Sequence, residues 1–414
     1  MAAAATDFDV CLIGATGFTG GLTAEYLTSA ARPQGLRLAL AGRSTEKLEA
    51  LRARLLARYG GAWPAAVPQL VDTSDIDGLV QRSKVIINTA GPFLSSAPPV
   101  VAACAKHGRD YVDITGETPF VKQTIDRHDA EARASGALLV PMCGFDSIPS
   151  DLGTLRAVRR IKELFGEETV RVSCFATMRG SLSGGTLASG IEMEKQPDVF
   201  ARMLDPFLLG GRPEGGARPE DADATDAAAV AEGAWAAPFM MASLNTRVVR
   251  RTSGLLGPSH GYAPAFGYSE RMLVGDRETA ERLAKPKPPV SKREAMRDAG
   301  RLPKPGEGPS REERAKSWFR FLLVAEAASG KRFVTSVSGG DPGYTETSKM
   351  VSEAALALLF DRPALPAQSG VLTPASAFGP VLERRLREAG VAFADEGEDV
   401  EGILAAAVAP RPRL

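Results

Sequence analysis

An apolar run near the start of the chain breaks into glycines at every third position. Residues 7–21 read DFDVCLIGATGFTGG, with glycines at Gly14, Gly17 and Gly20. Asp9 to Ile13 predicts a short buried strand, and GLTAEYLTSAA after the last of these glycines predicts a helix. A strand, a glycine loop and a helix in this order restrict the fold strongly, because glycine is the residue that tolerates tight turns and close backbone approach.

Each glycine has a physical purpose if the loop binds a dinucleotide. The first permits a tight turn, the second lets a pyrophosphate approach the backbone, and the third allows close helix–strand packing. The helix N-terminus then offers free N–H groups and a positive dipole end to the phosphates. The spacing G-x-x-G-x-x-G is typical of NADP-preferring reductases, although a merely structural turn stays open. The loop residues expected to bind cofactor are Gly14, Thr16, Gly17, Phe18, Thr19 and Gly20.

The end of the second predicted strand favours NADP over NAD. The strand runs from Leu36 to Gly42, and an NAD enzyme would place Asp or Glu at its tip to bind the ribose 2′-hydroxyl. Here Arg43 and Ser44 follow instead. A guanidinium can bind a 2′-phosphate with two parallel hydrogen bonds. In the alternative interpretation Ser44 or Thr45 only caps the next helix and Arg43 is solvated, and both interpretations can hold together.

The alternation of strands and helices continues to about residue 150 and predicts a parallel sheet with right-handed crossovers. Ligands of such sheets lie beyond the carboxyl ends of the strands. Asp72 ends the third strand and suits contact with the adenine. The fourth and fifth strand ends add the other expected cofactor residues, which are Ala90, Gly91, Pro92, Phe93, Thr115 and Gly116.

The regular alternation of strands and helices ends in the second half of the chain, which predicts a different kind of domain. The expected fold class is α/β, with a doubly wound parallel Rossmann sheet in residues 1–150 and an α+β domain with a mixed or antiparallel sheet in 151–343. Residues 344–414 should pack back on the Rossmann domain. The Ala-, Gly-, Pro- and acid-rich residues 212–233 predict a mobile loop. The basic, Pro-rich residues 285–317 predict a lid, a membrane contact or a plain connector.

Composition excludes several classes of function. Lys plus Arg and Asp plus Glu are both 50, so no net charge attracts nucleic acid or an anionic membrane. Four scattered cysteines and three histidines make a disulfide framework or a metal site unexpected. The N-terminus lacks the features of a signal peptide, and no stretch reaches the ~18 apolar residues of a membrane span. We therefore expect a cytoplasmic protein.

Three residues are candidates for the proton donor of a reduction. Asp146 follows the sixth strand and could act as a general acid, or could only shape a turn or cap a helix. Glu117 lies with Asp113 and Thr115 on one side of the fifth strand end, which suits a polar pocket wall or a helix cap. Tyr344 is a further donor if its helix reaches the cleft, or else a packed aromatic.

The sequence does not support two other classes of catalytic motif. A short-chain dehydrogenase needs Tyr-x-x-x-Lys, and the nearest pair, Tyr344 and Lys349, is one residue too long. GPSHG around Ser259 matches a hydrolase elbow, but that elbow needs a strand before it and a helix after it. The residues that follow, YAPAFGY, have no helical period, and no histidine lies downstream of His260.

Seven stretches between Phe8 and about Phe378 together resemble the saccharopine dehydrogenase-like oxidoreductases. They are GATGFTGG, AGRS, AGPF, DYVDITGE, CGFDSIPSDLG, DPGYTETSKM and GVLTPASAF. The resemblance, whose bacterial branch includes trans-acting enoyl reductases, implies NADP(H) bound to a Rossmann domain and a link to lipid or glycolipid metabolism, often at a membrane. Better-known relatives reduce an imine between lysine and a dicarboxylic acid. Such a substrate needs several arginines at the pocket, and GPF, TGE and GFDSIPS carry none.

The sequence therefore predicts an NADPH-dependent reductase of a C=C or C=O bond in a small, lipid- or polyketide-like substrate. An amino-acid-type imine reductase is the first alternative. A non-catalytic NADPH-binding scaffold or sensor is an alternative of another class, because fold alone does not separate these functions. A carrier protein, a peripheral contact at the plasma membrane and a homodimer are open as partners, whereas nucleic acid is not expected.

Overall fold

The computed structural model contains two seven-stranded β-sheets that share one hydrophobic core. The structure describes residues 6–29, 35–59, 69–180, 190–191, 193–195, 197–286, 290–299, 307–366 and 368–409. The largest apolar cluster runs from strands of the first sheet, through the helices between the sheets, to strands of the second. The two halves of the chain are therefore packed against each other rather than merely linked.

The first sheet is parallel throughout and has the doubly wound order β13–β6–β5–β4–β1–β2–β3. Its strands are β1 (Phe8–Ile13), β2 (Leu38–Gly42), β3 (Gln69–Asp72), β4 (Ser83–Asn88), β5 (Asp110–Asp113), β6 (Leu138–Val140) and β13 (Gly370–Val371). Its helices are α1 (Phe18–Leu27), α2 (Thr45–Tyr59), α3 (Ile76–Gln81), α4 (Phe93–Ser96), α5 (Pro98–His107) and α6 (Thr118–Ser135). The predicted Rossmann architecture is confirmed.

β1 shows why these residues form a central strand. Five of its six residues are buried, as expected for a parallel strand covered by helices on both faces. Val10 pairs with Leu38 of β2 on one side and with Val85 of β4 on the other. The chain winds away from β1 in opposite directions after β3, so the carboxyl end of β1 is the point where a ligand cleft forms.

The second sheet is mixed, with the order β14–β12–β11–β7–β10–β9–β8. Its strands are β7 (Thr169–Arg179), β8 (Ala228–Ala231), β9 (Ala234–Pro238), β10 (Tyr262–Val274), β11 (Trp318–Ala327), β12 (Arg332–Gly339) and β14 (Ala392–Gly397). β7 pairs with β10 in parallel and with β11 antiparallel. β11 and β12 form a hairpin that turns at Gly330, whose φ of 84° requires the freedom of glycine.

The remaining helices lie between or around the sheets. They are α7 (Ile148–Phe165), α8 (Pro197–Met203), α9 (Ala242–Leu256), α10 (Arg277–Leu283), α11 (Val290–Asp298), α12 (Arg311–Ala315), α13 (Thr347–Phe360), α14 (Pro374–Glu388) and α15 (Val400–Val408). Short 3₁₀ turns cover Pro219–Asp221, Pro258–His260 and Arg362–Ala364, and a π-helical turn covers Pro342–Glu346. No helix in the described part of the chain combines the length and apolar character that a membrane crossing needs.

The last part of the chain divides between the two sheets. β13 pairs with β6 of the first sheet, whereas β14 pairs with β12 of the second. The expectation that all of residues 344–414 packs on the Rossmann domain is therefore wrong for β14 and α15. The physical reason is that α15 buries Val400 and Leu404 against an apolar patch of the second sheet.

Residues 212–233 contain regular structure, in contrast to the predicted irregular loop. They include the 3₁₀ turn at Pro219–Asp221 and strand β8. Two arginines of α9 hold this segment: Arg247 Nη1 lies 2.6 Å from Asp223 Oδ1, and Arg250 Nη2 donates to the Asp221 carbonyl at 2.9 Å. Both side chains are almost fully buried, so the pairs are well shielded from water. Of residues 285–317, positions 287–289 and 300–306 lie outside the described chain.

Candidate active site

The glycine loop forms a tight turn between β1 and α1. Gly14 has a φ of 81°, and a Cβ built on it would lie 2.8 Å from the Ala90 nitrogen. A Cβ on Gly20 would lie 2.1 Å from the Gly14 carbonyl oxygen, which no side chain tolerates. The first and third glycines are thus needed for the turn and for close packing of α1 on β1, as the spacing predicts.

Gly17 is the N-cap of α1, and no side chain caps this helix end. Thr16 and Gly17 are exposed, while Phe18 and Thr19 are half-buried. The Gly17 N–H is used within the turn, since it donates to the Gly14 carbonyl at 2.9 Å. A side-chain-free backbone at the positive end of a helix fits a dinucleotide diphosphate, so these residues suit the cofactor that the loop predicts.

Arg43 and Ser44 lie at the carboxyl end of β2, next to the start of α2. Ser44 caps α2, because its Oγ accepts from the Lys47 N–H at 3.4 Å and its carbonyl accepts from the Leu48 N–H at 3.1 Å. Arg43 is exposed, and no carboxylate of the described residues pairs with it. Its guanidinium is therefore free to bind a 2′-phosphate while its neighbour holds the helix.

Asp72 lies at the end of β3 and is exposed. Its carboxylate accepts from the Ser74 N–H at 3.1 Å and from the Ser74 hydroxyl at 2.9 Å. This arrangement is an Asx turn, in which a short acidic side chain replaces a backbone acceptor. Asp72 shapes the rim beside the expected adenine position, and its contact with adenine stays a prediction.

The corner after β4 is held by Glu117. Gly91 and Pro92 are exposed, and the Glu117 carboxylate accepts from the Phe93 N–H at 2.9 Å and from the Leu94 N–H at 2.8 Å. A carboxylate at a helix N-terminus is stabilised by the free N–H groups it satisfies. Glu117 is almost fully buried; by position it is the N-cap residue of α6, but its side chain makes no hydrogen bond there and instead caps α4. Its predicted place as a proton donor is therefore corrected to that of a positioning residue.

A buried polar network fixes the ends of β4 and β5. The Asp113 carboxylate accepts from the Tyr111 hydroxyl at 2.8 Å and from the backbone N–H groups of Thr115 and Met142. Burial raises the pKa of Asp113 to about 7 despite these donors. β5 ends at Asp113 rather than at residues 115–117, because the Asp113 side chain takes over the backbone N–H groups beyond it. The side chains predicted to form a polar pocket wall are therefore buried and hold the strand ends in place.

The Asp146 carboxylate does not belong to this buried hydrogen-bond network. Its Oδ2 lies 3.5 Å from the point where a Cβ of Gly116 would be, and Leu244 Cδ2 lies 3.7 Å from the same point. No hydrogen-bond donor among the described residues reaches its carboxylate, and the N-cap of α7 is Ser147 instead. Burial raises the pKa of Asp146 to about 6. A carboxyl group of this kind can be protonated near neutral pH and can donate that proton.

Tyr344 lies in the π-helical turn before α13. Its ring packs edge to face on Phe18 of the glycine loop, with 5.1 Å between centroids, and the side chain is almost fully buried. The Lys349 ammonium lies 2.7 Å from the Glu346 carboxylate. The structure therefore places Tyr344 against the glycine loop, and its part as a proton donor stays a prediction.

The site also uses residues that the sequence pattern does not single out. Thr89 donates to the Ile13 carbonyl at 2.9 Å and fills the space beside Gly14 and Gly20. Leu244, at the start of α9, is the apolar neighbour of Gly116. No local motif marks either residue, since each acts only through contacts that are distant in sequence.

A cleft of about 410 Å³ lies elsewhere, between α7, α14 and β14. Its lining residues are Arg156, Arg159, Arg160, Glu163, Pro380, Glu383, Arg384, Arg387, Glu388 and Asp395. None of the predicted site residues is among them, and many of these charges pair with one another, as Arg156 does with Glu383 at 2.8 Å. We therefore place the active site at the strand ends of the first sheet and not in this cleft.

Comparison with known proteins places this geometry in a family. The family model of the saccharopine dehydrogenase NADP-binding domain matches residues 10–140 of this chain. A trans-acting enoyl reductase of Mycobacterium leprae is 35% identical over 410 residues, covering 93% of this chain and 97% of the relative. A protein of Mycobacterium tuberculosis is 37% identical over 417 residues, covering 95% and 98%.

A solved structure agrees with the fold. Apo saccharopine dehydrogenase (L-Glu forming) from Saccharomyces cerevisiae superposes with a TM-score of 0.51 at 12% identity, covering 94% of this chain and 99% of that one. The sequence relatives carry the assignment, because they extend over nearly the whole chain on both sides. The chain is an NADP-dependent oxidoreductase and belongs to the saccharopine dehydrogenase-like family, among the trans-acting enoyl reductases.

Proposed function

We propose that this protein reduces the C=C bond of an enoyl group in a lipid- or polyketide-type substrate, with Asp146 as the proton donor. The observation that carries the proposal is a carboxyl group with a pKa raised to about 6 beside Gly116, where the strand ends of the first sheet form the cofactor cleft. NADPH, when bound, supplies a hydride from C4 of its nicotinamide. Asp146 would donate its proton to the carbon of the double bond that does not receive the hydride.

The chain's own residues give this reaction its geometry. Gly116 leads directly into Glu117, and the Glu117 carboxylate fixes the backbone of Phe93 and Leu94. The corner after β4, which we propose for the nicotinamide, and Asp146 are therefore held against the same short segment after β5. A proton donor fixed this way keeps a constant position relative to the bond that is reduced.

The arginines of α9 support the enoyl substrate over a saccharopine-type imine. An imine of amino acids carries several carboxylates, which need cationic partners at the pocket. Arg247 and Arg250 are engaged with Asp223 and with backbone carbonyls, and Arg251 donates to the carbonyls of Leu209 and Val371. These cations support the fold, and the side chain that lies with Asp146 beside Gly116 is apolar Leu244.

The partners of the reaction follow from the same chemistry. A relative named trans-acting enoyl reductase supports a substrate presented on a separate carrier protein. We propose carrier-bound enoyl thioesters as the substrate class, and a peripheral contact with the membrane and a homodimer as further features of the working enzyme.

The experiment is an assay of NADPH oxidation at the absorbance band of reduced nicotinamide. The purified protein receives an enoyl thioester, the matching saturated thioester or a mixture of lysine and a keto acid. We expect substrate-dependent oxidation with the enoyl thioester alone and one saturated product per NADPH consumed. Turnover with the amino-acid mixture instead would support the imine reductase, and NADPH binding without turnover of any substrate would support the scaffold.

A further inference from the structure

A segment before β11 lies directly on the glycine loop. Residues 307–316, which we call the strap, include α12 and lead into the second sheet. A Cβ built on Gly308 would lie 2.5 Å from Phe18 Cε1, so the strap backbone touches the ring. The Arg314 guanidinium carbon lies 5.9 Å from the centroid of the same ring. The strap thus carries a cation to the first residue of α1.

Arg314 has hydrogen-bonding capacity that the described residues do not use. Its Nη1 donates to Thr345 Oγ1 at 3.0 Å, whereas its Nε is buried and has no acceptor among the described residues. The adjacent acidic residue is already engaged, since Glu313 accepts from the Ser310 N–H at 2.7 Å and caps α12. No carboxylate of the described chain forms an ion pair with Arg314. A planar guanidinium in this state is suited to a phosphate group.

The glycine loop creates a need for such a cation. GATGFTGG contains no Lys or Arg, although a dinucleotide diphosphate brings two negative charges to it. The N-terminus of α1 supplies only about half a unit of positive charge. Arg54 is the basic side chain nearest to Gly21, and it lies 3.5 Å from the Glu25 carboxylate.

We propose that Arg314 is a cofactor-binding residue, which the strap places over the Phe18 ring so that its guanidinium binds the diphosphate of NADPH. Arg43 binds the 2′-phosphate at the other end of the adenosine. Both halves of the chain then hold the cofactor, because Arg43 binds its 2′-phosphate and Arg314 binds its diphosphate. This inference rests on the dinucleotide site of the proposed function.

The test compares Arg314→Ala with the wild-type protein and with Arg311→Ala, a control on the exposed side of the same helix. Dissociation constants are measured by fluorescence titration for NADPH, NADH and adenosine 2′-monophosphate, which lacks the diphosphate. We expect Arg314→Ala to weaken NADPH and NADH by the same factor, about tenfold or more, as for a lost charge-assisted hydrogen bond. Adenosine 2′-monophosphate should bind as before, and Arg314→Lys should recover part of the loss.

Three outcomes separate this inference from the proposed function. If the wild-type protein binds neither NADPH nor NADH, the dinucleotide site itself is refuted. If the wild-type protein binds NADPH and Arg314→Ala binds it equally well, the diphosphate contact is overturned and the cofactor site stands. If Arg314→Ala weakens adenosine 2′-monophosphate as much as NADPH and also lowers the melting temperature, Arg314 only supports the fold and the inference fails.

Discussion

Asp146 illustrates how the surroundings of one residue decide its chemistry. Its carboxyl group lies near Gly116, and burial alone raises its pKa to about 6. By contrast, the Glu117 carboxylate receives two backbone N–H groups and is used to hold α4. Two acidic residues close to the same corner therefore differ in function because one has partners and the other does not.

Replacing Asp146 by Asn should lower kcat for enoyl reduction by roughly 10²- to 10⁴-fold, the usual contribution of a general acid. The donor must be protonated, so kcat/KM of the wild-type enzyme should fall as pH rises through about 6, and the variant should lack this limb. NADPH affinity should stay the same in both. Asp126→Asn, on the exposed surface of α6, is the control and should keep both the rate and the pH profile.

Replacing Arg43 by Ala should raise the Kd for NADPH by about tenfold or more and leave the Kd for NADH unchanged. The reason is that only NADPH carries the 2′-phosphate that a guanidinium would bind. Calorimetric titration of both cofactors checks this, with Arg52→Ala on α2, the helix that follows Arg43, as the control. Equal loss of affinity for the two cofactors would show that Arg43 does not read the phosphate.

At the scale of the element, the β1–α1 corner depends on backbone contact rather than on side chains. Gly20 and Gly21 are neighbours in α1, yet the Cβ of an alanine would meet the Gly14 carbonyl oxygen at 2.1 Å in the first case and only the mobile end of Arg54 at 3.4 Å in the second. The two positions therefore form a matched pair for testing the loop.

Gly20→Ala should destabilise the protein by about 1–3 kcal/mol, as expected for overpacking, and should weaken NADPH binding. Gly21→Ala should be nearly neutral, because alanine favours a helix and the space is open. Urea denaturation and NADPH titration of both variants give the comparison. If Gly20→Ala is as stable as Gly21→Ala, the close approach of α1 to β1 is not required.

Local pattern predicted the elements of the cofactor site but not the partners of its acidic side chains. The spacing of Gly14, Gly17 and Gly20 carried enough information, because the demands on a βα corner are local. The hydrogen-bond partners of the Glu117 carboxylate could not be predicted from the sequence, since they are N–H groups more than twenty residues earlier in the chain. For the same reason, the composition of residues 212–233 predicts a mobile loop, although their partners Arg247 and Arg250 hold them from α9.

At the scale of the whole molecule, several carboxyl groups are buried without a cation. Burial raises the pKa values of Asp113, Asp151 and Glu270 to about 7. Asp151 connects three helices, since it accepts from the Thr252 hydroxyl of α9 and the Ala375 N–H of α14. These groups make the junction of the two sheets sensitive to pH.

The free energy of unfolding should fall as pH rises from about 4 to 7. Between the unfolded pKa near 4 and the folded value of about 7, the folded protein binds more protons than the unfolded chain, which favours folding at the acidic end. Each such group contributes up to about 1.4 kcal/mol per pH unit in that window. Urea midpoints measured across the range check this. Asp151→Asn should flatten the slope, Asp72→Asn should not, and a wild-type slope of opposite sign would refute the prediction.

The division of the C-terminal residues between the sheets was beyond a sequence-based prediction. Gly370 and Val371 are too short a run to predict a strand, and they are fixed by distant groups such as the Asp129 carboxylate, which accepts from the Val371 N–H at 2.8 Å. β14 likewise has no local feature that selects one sheet over the other. Tertiary contacts decide both assignments.

The position of β13 has a consequence for how the protein is made. While the ribosome is still translating, the outer edge of β6 has no neighbour, although everything else in the first sheet has already emerged. An open strand edge invites pairing with a foreign chain. The nascent polypeptide therefore exposes an unpaired strand edge until Gly370 and Val371 emerge, and a chaperone that shields this edge should raise the yield of native enzyme.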